Sequence, residues 1–241
     1  MKNIFKFAAV ALLALAFAHA EHLKVGTNAV YPPFEFINDQ NKITGFDIDL
    51  VDALSKKVGF TYEIVNMSFD GLIPALKAGK IDAIASGMSA TAERAKAVDF
   101  IDPYFNTTNI FIKKADNDAI KTKADLAGKK IAVQIGTVQE AAAKEIKDAN
   151  VMVNEDVAIA VMALKTGKAD ALLTDNLVGV EYIKKNPDLV AFLTEPDGSE
   201  GFSIAFNKNK KLDLIAKINA ALKQIKASGE YDKLLAKYNL K

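Results

Sequence analysis

The ten residues "ALKAGKIDAI" (Ala75–Ile84) return 88 positions later as "ALKTGKADAL" (Ala163–Leu172), changed at only three places. Each copy reads as the end of a helix, a glycine that stops it, and a strand that follows. The first copy runs on into "ASGMSAT" and the second into "LTDN", so both strands end in polar residues. A unit spelled twice in this way predicts two similar α/β lobes. In open α/β sheets ligands sit beyond the carboxyl ends of the strands, so two lobes turned toward each other would share one cleft.

Outward from the repeat the same grammar continues. "LKVGT" (23–27) and "FTYEIV" (60–65) read as strands around an amphipathic helix, "FDIDLVDALSKKVG" (46–59), with Ile48, Val51, Leu54 and Val58 on one stripe and Gly59 at its end. "FDGLIPALKAG" (69–79) reads as a helix and "KIDAIAS" (80–86) as a buried strand. The second half offers strands at 129–134, 151–154 and 168–174, with helices at 137–148, 156–167 and 175–186. After "FSIAFN" comes a long helix with Leu212, Ile215, Ile218, Leu222 and Ile225 at helical spacing, then a short one over 231–238. No Gly/Ser-rich linker divides the halves, which predicts a pair of ordered crossing strands near "NTTNIF" and "SEGFSIAF" in place of a flexible tether.

Composition narrows the function. The chain has 241 residues, half of them apolar, enough for real cores. Its opening carries Lys2 and Lys6, an apolar run from Phe7 to Phe17, and the small-x-small triplet Ala18-His19-Ala20. That pattern is a cleaved secretory signal at 1–20, with an expected mature start at Glu21. Eleven apolar residues are too few for a bilayer core of roughly 30 Å. With no Cys there is no lipid-anchored N-terminus, no disulfide, no thiol nucleophile and no Cys-based zinc site. A soluble periplasmic protein without a membrane anchor is expected.

Beyond residue 20 the chain carries 29 basic and 30 acidic residues, a balance that offers nucleic acid no basic face. His22 alone remains for a Ser-His-Asp triad, which argues against that chemistry. The Asp and Glu residues lack metal-ligand spacing, so no metal and no cofactor are expected.

"VGTNAVYPPFEF", "GFDIDLVDAL", "SFDGLIPALKAGKIDAI", "SGMSATAERAKAVDF", "VQIGTVQE" and "ALKQIKASGEYDKLLAKY" together resemble, in order and across the mature chain, the periplasmic amino-acid-binding proteins of ABC importers. The glutamine-binding and lysine/arginine/ornithine-binding types are the nearest in kind. The resemblance implies an α/β, two-lobed periplasmic binding protein fold, with the lobes joined by two crossing strands. Lobe 1 would be discontinuous, residues 21–107 plus 203–241, with lobe 2 at 108–202.

A free amino acid presents a carboxylate and an ammonium on one carbon, both costly to dehydrate unless matched. Arg94 is the only Arg beside thirty Lys. A guanidinium can grip a carboxylate with two parallel hydrogen bonds, which an ammonium cannot. The resemblance places Arg94 and Ser89 at the ligand carboxylate. Gly136 and Thr137, between a strand and a helix start, offer N–H groups and a dipole to the same anion from lobe 2. Asp175 is expected to take the ammonium or cap the helix after it, or both. The Gly87 carbonyl and the Ser89 hydroxyl stand near that ammonium by resemblance, and Ser86 beside them is expected to line the ligand site.

The resemblance also makes Tyr31 and Phe69 aromatic walls, suited to the stem or plane of a polar side chain. Asn28, Gln134 and Gln139 add neutral hydrogen-bonding groups. Many relatives carry an acid where this chain has Asn28. Met88 reads either as packing or as a ligand contact, and Glu35 and Glu140 read as structural or, in an enzyme on this scaffold, as the general acid. The expected function is a monomeric receptor, not an enzyme, that closes on a polar L-amino acid, arginine or lysine before glutamine, and delivers it to an ABC permease. The alternative is an enzyme on the same scaffold, a cyclohexadienyl (arogenate/prephenate) dehydratase.

Overall fold

The structure, a computed structural model, describes residues 21–241, and the expected export signal at 1–20 lies outside them. The first lobe begins with β1 (His22–Thr27), a three-stranded antiparallel meander of β2 (Val30–Tyr31), β3 (Glu35–Ile37) and β4 (Ile43–Thr44), and the helix α1 (Phe46–Val58). It continues through β5 (Thr61–Asn66), α2 (Leu72–Lys77), β6 (Ala83–Ile84), α3 (Ala92–Ala95) and β7 (Val98–Phe100). The second lobe holds β8 (Thr108–Lys114), β9 (Lys130–Gln134), α4 (Val138–Lys144), β10 (Asn150–Asn154), α5 (Val157–Lys165), β11 (Ala171–Asp175), α6 (Asn176–Lys185) and β12 (Leu189–Pro196). The chain then returns to the first lobe with β13 (Ala205–Asn207), α7 (Leu212–Ala227) and α8 (Glu230–Lys237).

The two sheets have the same plan. One runs β5-β1-β6-β13-β7 and the other β10-β9-β11-β8-β12. In each, three parallel strands are followed by an antiparallel strand, β13 or β8, and one edge strand.

The repeated decapeptide occupies the same place in both lobes, down to individual hydrogen bonds. Gly79 and Gly167 take left-handed backbone, φ 69° and 71°. Lys80 N–H donates to the Ala75 carbonyl and Lys168 N–H to the Ala163 carbonyl, both at 2.9 Å, closing each helix in the same way. Next, Asp82 N–H donates to the Lys24 carbonyl while the Asp82 carboxylate accepts Lys24 N–H at 2.9 Å. Asp170 does the same with Lys130, its carboxylate accepting at 2.8 Å. One small motif thus pins the start of the central strand twice.

The elements follow the sequence with shorter ends. α1 stops at Gly59, whose N–H reaches the Ser55 carbonyl at 2.8 Å. The expected helix over 69–79 starts with a 3₁₀ turn (Phe69–Gly71), and the strand expected over 80–86 pairs only at Ala83–Ile84 because the Asp82 clamp precedes it. On α7, Ile215, Ile218, Leu222 and Ile225 are buried, but Leu212, at the first turn, is 56% exposed.

Between the lobes, residues 101–107 and 197–204 run antiparallel. Phe202 N–H donates to the Phe105 carbonyl at 2.7 Å and Tyr104 N–H to the Phe202 carbonyl at 2.9 Å. Phe34, Phe46, Phe105 and Phe202 pack edge-on and stacked around this crossing. Each fully buried Phe contributes roughly 1.5–3 kcal/mol, so the crossing is anchored in the first lobe's core.

Candidate ligand site between the lobes

Equivalent strands of the two sheets deliver equivalent residues to the interface. Asn28 directly follows β1 and Gln134 ends β9, and Gln134 Nε2 donates to Asn28 Oδ1 at 2.8 Å across the cleft. Asn28 is steadied by its own Nδ2 on the Met67 carbonyl at 3.0 Å and by its N–H on Ser86 Oγ at 2.9 Å. The lobes are closed on one another around a small polar cavity.

Ten of the twelve expected contact residues line that space. Asn28, Tyr31, Phe69, Ser86, Gly87, Ser89 and Arg94 form the wall of the first lobe, and Gln134, Thr137 and Gln139 that of the second. Arg94, held on the short α3 capped by Thr91, donates from Nη1 to the Ser89 carbonyl at 2.7 Å and from Nη2 to the Gly136 carbonyl at 3.0 Å. Its guanidinium lies 5.4 Å from the Phe69 ring centroid, a cation–π contact. Burial pulls its pKa down to about 10, which leaves it charged at neutral pH. Phe69 therefore serves as the platform of the arginine as well as a wall. Gly87 has φ 47°, and a Cβ there would meet the Tyr31 ring at 3.2 Å, so a side chain cannot come between them without moving the ring.

On the second lobe Thr137 caps α4, its Oγ1 accepting Glu140 N–H at 3.2 Å and donating to the Gln134 carbonyl at 2.7 Å. Glu140 turns back to accept Gly136 N–H at 2.7 Å, so one of the N–H groups expected to meet an anion already has a partner. Gln139 donates to Asn109 Oδ1 at 3.0 Å.

Two expected contacts fall elsewhere. Met88 is 1% exposed and packs with Phe69, Leu72, Ile84 and Val98 in the core, because the strand exit turns its side chain away from the cleft. Of its two readings, packing is the one the structure realises. Asp175 is fully buried behind the cavity wall: Oδ1 caps α6 by accepting Leu177 N–H at 3.1 Å, and Oδ2 accepts the hydroxyl of Thr107 on the crossing segment. Burial raises its pKa to about 7. It neighbours Tyr31, whose own pKa burial and the Asp175 charge push up.

Two lining residues were not expected, Val138 at the start of α4 and Glu35. Glu35, read from sequence as structural, is 1% exposed and faces the cavity, its Oε1 accepting the Ser86 hydroxyl at 2.9 Å. The signal was an acid between Phe34 and Phe36 in an aromatic run, where a solvated charge has no place.

Two matching α/β lobes, closed over a polar cavity that holds a lone guanidinium on one wall and a buried carboxyl on another, define a two-lobed solute-binding protein. Residues 23–241 match the family described as bacterial extracellular solute-binding proteins, family 3, and the chain belongs to that family. It is 51% identical over 218 residues to a probable histidine-binding protein of Campylobacter jejuni, covering 90% of this chain and 85% of the relative. Among solved structures, an ancestral arginine-binding protein bound to arginine superposes with a TM-score of 0.86 at 41% identity, covering 90% of this chain and 97% of that one. The ancestral amino-acid-binding protein AncCDT-1, described as a precursor of cyclohexadienyl dehydratase, superposes with a TM-score of 0.81 at 42% identity, covering 90% and 95%. Among the described residues no helix is long and apolar enough to cross a membrane.

Proposed function

We propose that this protein is a periplasmic, monomeric receptor that captures a cationic L-amino acid, arginine first and lysine or histidine within the same class, and presents it to an ABC permease. The observation that carries the reading is Arg94, the only arginine, placed on the wall of a closed inter-lobe cavity with Glu35 on the same lining. Arg94 takes the ligand carboxylate with Ser89 and Thr137. The ammonium goes to the Gly87 carbonyl and the Ser89 hydroxyl, with two carboxylates of the second lobe nearby, Asp197, which accepts the Ser89 hydroxyl at 3.2 Å, and Asp175 behind the wall. The side chain lies between Tyr31 and Phe69, and Glu35 supplies the acid that Asn28 does not.

Residues 21–107 with 203–241, and 108–202, are the two bodies that move. Because Arg94 and Thr137 belong to different lobes, a ligand touching both favours the closed form by the difference in its contacts with the two states. The names of the histidine-binding and arginine-bound relatives support the ligand class. The likeness to AncCDT-1 keeps an enzyme on this scaffold in view. We infer a receptor, because that neighbour is itself described as an amino-acid-binding protein, and absence of turnover of arogenate or prephenate would agree with it.

A thermal-shift screen of the twenty amino acids on protein refolded free of carried-over ligand tests the reading. A ligand at a hundred times its dissociation constant adds about 2.7 kcal/mol of stability. Arginine, lysine or histidine should give the largest shift. No shift with any amino acid would refute the proposal.

A further inference from the structure

At the cavity lies a pair of buried acids, Glu35, which lines it, and Asp47, which ligand capture as described does not use. Glu35 on β3 and Asp47 in the first turn of α1 are each 1% exposed. Glu35 Oε1 accepts the Ser86 hydroxyl at 2.9 Å. Asp47 Oδ2 accepts both Gly87 N–H at 2.8 Å and the Tyr104 hydroxyl at 2.6 Å. The other oxygen of each, Glu35 Oε2 and Asp47 Oδ1, is buried and has no hydrogen-bond partner among the described residues, while the first oxygens are held by the adjacent residues Ser86 and Gly87.

Two carboxyls buried side by side with an unpartnered oxygen each do not both hold a charge, so one of them is neutral. Asp47 has two donors on its far oxygen and Glu35 one, which places the proton on Glu35. The same direction follows from electrostatics: burial and the Asp47 charge push the Glu35 pKa well up, while Asp47, held by its donors, rises only to about 6. The titratable groups facing Glu35 are Asp47 from α1, Tyr31 from β2, Tyr104 from the crossing segment and Asp175 from the second lobe. Arg94 shares its cavity. Unlike Asp47, Glu35 borders the space a ligand would fill.

Resting on the receptor reading above, we propose that the Glu35–Asp47 pair is a proton-exchange seat that sets charge specificity: a neutral ligand side chain leaves the shared proton in place, and a cationic one expels it. In that step the O–H bond of Glu35 breaks, the electron pair stays on the carboxylate, the proton passes to a buffer base, and the ligand keeps its own charge. The seat gains one negative charge as the ligand brings one positive charge. Arginine affinity then rises about tenfold per pH unit over the range in which the free pair keeps its proton, and the affinity for a neutral isostere does not.

The test is calorimetric titration of the wild-type protein at pH 7 with L-arginine and with L-citrulline, its neutral isostere, in phosphate and in Tris, whose ionisation enthalpies differ widely. The expected result is an arginine enthalpy that changes between buffers by the amount for about one released proton, with no such change for citrulline. Glu35→Gln should abolish the buffer dependence and reduce the preference for arginine over citrulline at least tenfold. Arginine binding with the same enthalpy in both buffers would overturn the seat and leave the receptor reading standing. No heat with any amino acid would overturn both.

Discussion

Asn28 and Gln134 stand at the carboxyl ends of equivalent inner strands of the two lobes, β1 and β9, and their side chains meet across the cleft, Gln134 Nε2 on Asn28 Oδ1 at 2.8 Å. The internal likeness of the chain thus becomes a contact between corresponding residues at the closing surface. Asn28→Ala should remove the only acceptor that Gln134 meets in the first lobe and lower ligand affinity by a few-fold to tenfold, about 0.5–1.5 kcal/mol for a neutral hydrogen bond. Calorimetry with L-arginine measures it.

Arg94→Ala should cost more. The guanidinium is half-buried and held by the Ser89 and Gly136 carbonyls with Phe69 beneath it. Removing it leaves the ligand carboxylate without its charge partner, a loss of about 2–5 kcal/mol in binding. Arg94→Lys should recover only part of the loss, since an ammonium lacks the fork. Wild-type affinity in either variant would take Arg94 out of the site.

Gly136 tests closure. Its φ of 75° suits glycine, and a Cβ added there would meet Asp70 Cβ at 3.1 Å and Asp70 Cα at 3.2 Å, across the gap between the lobes. Gly136→Ala should hold the lobes apart, so that small-angle scattering with saturating ligand gives a larger radius of gyration than wild type. An unchanged radius would show that the contact does not limit closing.

The buried acids set the pH dependence of stability. Asp47 is raised to about 6 and Asp175 to about 7 in the folded protein, mainly by burial, against about 3.9 unfolded. Between these limits the folded state binds more protons than the unfolded one, so stability falls as pH rises from about 4 to about 7. Asp99, Asp125 and Glu140 are shifted down, and their stabilisation is lost only at lower pH, as pH falls through their folded values. The melting temperature of ligand-free protein should peak on the acid side of neutrality, and Asp175→Asn should flatten its decline toward pH 7. A melting temperature that climbs steadily from pH 5 to pH 8 would contradict these assignments.

The repeat makes a paired prediction. Asp82→Ala and Asp170→Ala each remove a carboxylate from the N–H at the start of the corresponding strand, Lys24 or Lys130. Each should destabilise the protein by about 1 kcal/mol, and by similar amounts, in urea unfolding.

The two-lobed plan was legible because helix stop and strand start are local: Gly79 and Gly167 need only their own neighbours to turn the chain. Arg94 was legible by scarcity and by chemistry. Glu35 and Asp47 were not. Asp47 sits at helical spacing with Val51 and Leu54 on the buried face of α1, but an acid in a first helical turn also reads as an ordinary partner of the helix dipole. Only the fold brings Tyr104 and Gly87 to it from 57 and 40 positions away. Thr107 escaped for the same reason, since its link to Asp175 joins the crossing segment to a helix cap 68 positions on. Met88 was ambiguous because a one-residue turn of the strand exit decides between core and cleft.

The central claim is that Arg94 grips the main-chain carboxylate of an amino acid between the closed lobes. Titration with L-arginine against agmatine, which is arginine without that carboxylate, tests it most directly. The account predicts tight binding of arginine and a loss of tens- to thousands-fold for agmatine, matching about 2–5 kcal/mol. Agmatine binding as tightly as arginine would contradict it.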